Sequence, residues 1–175
     1  MPKSGNAAAA LAALTITVTL SALTISATAE ARQGVLRARG ANGAVTAAAG
    51  AKGVATRGHG TVSNQDGSVT HGSGGAYRGV NGGQGYRASS TTVSPDGSVS
   101  RQTQAETNGP NGSVNIQGGL ARGADGAWSG SRSTNATNAS TGNSYSGSTT
   151  IDPATGQPVH TGGCTDAGGN AISCR

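Results

Sequence analysis

Val93-Ser94-Pro95-Asp96-Gly97-Ser98-Val99 is the stretch on which the fold turns. Asp followed by Gly is a strong hairpin signal, since Gly takes a positive φ at no steric cost and Asp tolerates the turn position before it. Pro95 fixes the first turn residue near φ of about −65°. A three-residue loop closed by Gly97 pairs Ser94 with Ser98 and Val93 with Val99, which puts both valines on one face. The flanks fit strands. Ser89-Ser90-Thr91-Thr92 and the run from Ser98 to Gln104 are rich in β-branched, hydroxyl and amide residues. Alternation places Val99, Arg101 and Thr103 on one side, with Ser98, Ser100, Gln102 and Gln104 on the other.

The phrase recurs as Gln65-Asp66-Gly67-Ser68-Val69-Thr70, Pro110-Asn111-Gly112-Ser113-Val114-Asn115 and Ala124-Asp125-Gly126-Ala127-Trp128-Ser129. Its glycines at 67, 97, 112 and 126 share a unit of about fifteen residues. Weaker turns at Asn81-Gly82-Gly83, Thr141-Gly142-Asn143, Pro153-Ala154-Thr155-Gly156 and Gly168-Gly169-Asn170 fall where that unit requires them. A fixed short period predicts an all-β chain, either an antiparallel β-meander or a solenoid-like array of hairpin units, with substantial flexible regions and no helix beyond the N-terminus. Residues 61–175 form this β-repeat region. Residues 30–60, rich in Ala and Gly, read as a flexible basic arm. Pairing Val62 with Val69 around the first phrase sets His59 and His71 on opposite faces.

Composition restricts what such a chain can bury. From Glu30 onward it holds ten Val, three Ile, two Leu, one Trp and no Phe. Chains this poor in large aliphatic residues usually fall in the disordered class, but that class also carries high net charge, and here only 11% of residues are charged, with a balance of +5. A sheet of this composition depends on its backbone ladders and on cross-strand pairs of about 0.2–1 kcal/mol each.

Residues 1–29 read as a cleaved signal peptide with a helical hydrophobic region. Lys3 precedes an uncharged stretch from Ala7 to Ile25, and Ala27-Thr28-Ala29 and Ala29-Glu30-Ala31 offer small-residue cleavage sites. A secreted, periplasmic or cell-envelope protein without a transmembrane segment after cleavage is expected. Cys164 and Cys174 are the only cysteines, and they suit a disulfide in an oxidising compartment. If Gly168, Gly169 and Asn170 form the turn between them, the two cysteines lie directly opposite each other.

Reactive constellations are not found in the sequence. Asp66, Asp96 and Asp125 are turn residues before Gly, Asp152 precedes Pro153 at another turn, and Glu106 has no acidic or basic partner in a recognisable motif. His59, His71 and His160 do not have metal-ligand spacing. No enzyme, metal, cofactor or small-molecule substrate is expected. The cations are more suggestive. Arg32, Arg37, Arg39, Lys52 and Arg57 have no acid among them, and Arg78 and Arg87 each follow a tyrosine, so these seven are candidate polyanion-binding residues. Arg101, Arg122 and Arg132 follow, and Trp128 falls across from Arg122 if Ala124-Asp125-Gly126 is a loop. The charge-poor stretch from Ser129 to Thr149, with its triplets at Asn135 and Asn138, is a candidate for edge-to-edge self-association. The sequence therefore supports an exported, non-enzymatic structural or surface-interaction protein of the cell envelope or extracellular matrix. The alternative is a secreted basic module for anionic polysaccharide or nucleic acid.

Overall fold

In the computed structural model, which describes residues 34–174, eleven strands form one antiparallel sheet in chain order. They are β1 Gly34–Gly40, β2 Gly43–Gly50, β3 Gly53–Ser63, β4 Val69–Gly79, β5 Gln84–Val93, β6 Val99–Gly109, β7 Gly112–Arg122, β8 Trp128–Asn138, β9 Ser144–Ile151, β10 Pro158–Thr165 and β11 Ala171–Ile172. Each strand pairs only with its neighbours in sequence. The all-β expectation holds as a meander, and the solenoid-like alternative does not. Residues 1–29, expected to be a signal peptide, and Arg32 lie outside the described residues.

The turn phrase explains the regularity. In Asn64–Ser68, Ser94–Ser98 and Gly123–Ala127 the first residue donates its N–H to the carbonyl of the fifth and accepts from the N–H of the glycine before it. Gly67, Gly97 and Gly126 take φ of 79°, 82° and 85°, the left-handed conformation such a loop requires. Asp66, Asp96 and Asp125 each accept from the N–H two residues on, at 2.9, 2.9 and 3.0 Å. The Asn111-Gly112 phrase departs from the pattern, because Gly109 pairs with Gly112 around a two-residue turn.

Four other expectations are corrected. Residues 34–60 are not a flexible arm: they form β1, β2 and most of β3, joined by the two-residue turns Ala41-Asn42 and Ala51-Lys52, whose following Gly43 and Gly53 echo the turn phrase. At the first phrase the loop closes as Asn64–Ser68, so Ser63 pairs with Val69 and Thr61 with His71. That one-residue difference moves His71 to the same face as His59. At the C-terminus the loop is Asp166–Asn170, Cys164 pairs with Ile172 rather than Cys174, and the disulfide reaches diagonally, with the Cα atoms 5.4 Å apart. The stretch from Ser129 to Thr149 lies within β8 and β9, which are flanked by β7 and β10, so it offers no free edge strand.

Among the described residues no apolar side chain is buried. Adhesion comes from neighbours on one surface, such as the row Val69, Val93 and Val99 and the Thr70 to Thr92 hydroxyl contact of 2.8 Å. Two tyrosines lie down over glycine. A Cβ at Gly85 would stand 2.8 Å from the Tyr77 ring, and one at Gly162 would stand 2.9 Å from the Tyr145 hydroxyl.

The turn carboxylates couple this sheet to pH. The Ser68 hydroxyl and N–H hold Asp66 below the usual carboxylate range, those of Ser98 do so for Asp96, and the Ala154 N–H and Thr155 hydroxyl for Asp152. The Asn170 side chain and N–H act likewise on Asp166. A carboxylate with a lowered folded pKa contributes stability that is full above its unfolded value of about 3.9 and is lost as pH falls through the folded value. β-Structure followed by circular dichroism is expected to weaken on acidification below about pH 4. Asp96→Asn, which keeps the acceptor but cannot titrate, should reduce that dependence, and an unchanged acid transition in Asp→Asn variants at all four turns would overturn the assignment.

Candidate functional site

Register and alternation together decide where each cation stands. Starting at the β1 edge, Arg37, Thr46, Arg57, Gly75 and Arg87 are successive partners across five strands. The arginines of this row sit on β1, β3 and β5, about 9.6 Å apart at ordinary strand spacing. The next row on the same face runs Arg39, Ala44, His59 and Ser73, and on through Thr103 and Gly118 to Arg132, Thr149 and His160. Another row holds His71 and Arg101, and the last holds Arg122 opposite Trp128, as the loop length predicts.

Arg37, Arg39, Arg57, Arg87, Arg101, Arg122 and Arg132 thus share one face with all three histidines, and each of these ten side chains is exposed. No strand carboxylate joins them. Glu106 pairs with Tyr86 on the reverse face, and the aspartates Asp66, Asp96, Asp125, Asp152 and Asp166 all occupy turns. Sequence reading placed Arg78 in this group, but its register sets it on the reverse face. Lys52 sits in the β2–β3 turn.

No family model, curated protein or solved structure matches the chain.

Small residues leave the guanidinium groups room. A Cβ at Gly75 would lie 2.6 Å from the Thr56 carbonyl and 3.4 Å from the Arg57 Cβ, and one at Gly118 would lie 3.1 Å from the Arg132 Cβ. Two of the histidines are held by hydroxyls. Thr61 Oγ1 meets His71 Nδ1 at 3.0 Å, while His160 contacts Thr149 Oγ1 at 3.0 Å and the Tyr145 hydroxyl at 3.2 Å. The His59 and His71 ring centres are 6.3 Å apart, and Arg39, Asn42, His59 and Thr61 border a shallow open depression. Among the described residues no group of three or more His, Cys, Asp or Glu could hold a metal ion.

Two features missed in the sequence matter here. Arg101, Arg122 and Arg132 belong to the same array as the arginines nearer the N-terminus, and the histidines join it. The signal that could have found both was a consistent register: applying the Ser94–Ser98 loop geometry to Asn64–Ser68 gives Thr61 opposite His71 directly.

Such a face can bind an extended anion. Arginine presents a planar fork of donors to carboxylate, sulfate or phosphate and stays charged at any physiological pH. Along a strand, residues two apart stand about 6.7 Å from each other, so the face offers cations at polymer spacing in both directions. Tyr77 and Trp128, both exposed, add aromatic surface to the same side.

Proposed function

We propose that this protein is an exported, non-enzymatic surface-interaction component of the cell envelope or extracellular matrix, whose arginine face holds an anionic polymer. The single observation that carries the proposal is the segregation of seven arginines onto one face without a strand carboxylate. Solubility alone would be served by cations on either face. Segregation produces a field of one sign, which concentrates a polyanion at the surface and neutralises successive groups along it. The Cys164–Cys174 disulfide and the lack, among the described residues, of a helix long and apolar enough to cross a membrane are compatible with secretion.

Retention on immobilised heparin and on duplex DNA, eluted with salt, tests this reading. Binding that weakens steeply with salt is expected, because each neutralised phosphate on duplex DNA adds about 0.9 to the slope of log affinity against log salt. Passage through both columns unretained at low salt would sink the proposal.

A further inference from the structure

The reverse face changes character along the sheet. Over β6–β9 it carries mainly hydroxyls and amides, while over β1–β5 it is richer in apolar side chains, with Leu36, Val45, Val54, Val62 and Tyr86 set among alanine, glycine and the polar Thr56, Thr70, Gln84, Ser90 and Thr92. Leu36 is 73% exposed, and Val45, Val54 and Val62 are each more than half exposed. Val45 leans over Gly58, its methyl 3.4 Å from where a Cβ would stand, so the surface there is low and continuous. Arg78 at its margin is the one charge that β1–β5 place on this side.

We propose that this apolar face docks against the same face of a second copy, giving a face-to-face dimer with both arginine faces turned outward. Charge selects the arrangement. Two arginine faces brought together oppose like charges, and an arginine face laid on the apolar one removes cations from water without a partner. Only apolar against apolar leaves every arginine of the array hydrated. The area is also adequate. Five strands about 4.8 Å apart, each contributing about seven residues at 3.4 Å, project roughly 600 Å², close to the ~800 Å² per partner of a stable interface. Two sheets so stacked form a sandwich, the ordinary way for a sheet to bury an apolar face. If the polyanion reading also holds, the dimer presents two binding faces on opposite sides and bridges polymer chains; the dimer itself does not depend on that reading.

Sedimentation equilibrium of the purified protein without polyanion tests it. A monomer–dimer equilibrium is expected. Val45→Lys should weaken it about tenfold or more, because the two-fold axis puts each substitution into the interface twice. Ala88→Lys, in the same row of the apolar face, should do likewise and covers the case in which Val45→Lys fails to fold. Thr46→Lys, the next residue but on the arginine face, should leave the equilibrium unchanged. A monomer at every concentration would overturn the proposal. So would association that Thr46→Lys weakens as much as Val45→Lys, or that neither Val45→Lys nor Ala88→Lys affects; the last pattern would point to the open β1 edge or to residues 1–33. Heparin retention of the Val45→Lys protein separates the two ideas, because it should persist in the monomer.

Discussion

Replacing Arg37, Arg57 and Arg87 together by glutamine is expected to lower polyanion affinity by roughly two orders of magnitude, at about fivefold for each screened surface contact. The three share one row at alternate strands, so a single extended anion can meet all of them. On duplex DNA the slope of log affinity against log salt should also fall by about 3, one contact per arginine. Arg78→Gln supplies the matched comparison: it removes the same charge from the same sheet, but from the reverse face, and it should change affinity little. Titration of each variant against labelled heparin or DNA at several salt concentrations decides the matter. If Arg78→Gln costs as much as any single arginine of the row, net charge rather than the face governs binding, and the proposed site is wrong.

Removing the disulfide should have the second large effect, and a local one. Closing a loop of sequence separation 10 stabilises by about 3 kcal/mol in the chain-entropy model. β11 pairs with β10 through only two residues, so little else holds the end of the chain. In the Cys164→Ala/Cys174→Ala variant, hydrogen exchange should accelerate over β10 and β11 while the amides of β4–β7 keep their protection. Uniform acceleration along the chain would show instead that the sheet unfolds as one cooperative unit. Unchanged exchange at Thr165 and Ala171 would show that the bridge does not restrain the end at all.

The sequence made the hairpins legible and left the faces harder to read. Ser94-Pro95-Asp96-Gly97-Ser98 states its loop length through Pro, Asp and Gly, and the Val93 to Val99 pairing follows at once. Ala41-Asn42-Gly43 and Ala51-Lys52-Gly53 carry only weak echoes of the phrase, without Pro or Asp and in a stretch rich in Ala and Gly, which is why the segment reads as a mobile arm. The faces needed every register to be right, since side-chain direction alternates with each residue and an error of one inverts a whole strand. Placing Val62 opposite Val69 was such an error. It separated His59 from His71, which lie together, and obscured the common side of the arginines. The cysteine pair survived its own misjudged turn because a displacement of two residues keeps the face.

A sheet in which every strand adheres only to the strand before and the strand after it has no long loops to close. Its contact order is low, so assembly can begin at any hairpin and grow by one strand at a time, like a zip drawn from either end. A chain of this kind can fold progressively while it is still being delivered, because no early strand must wait for a distant one. Its failures should be graded as well: shortening the chain by one hairpin removes that hairpin's share of the ladder and leaves the remaining strands with the partners they already had.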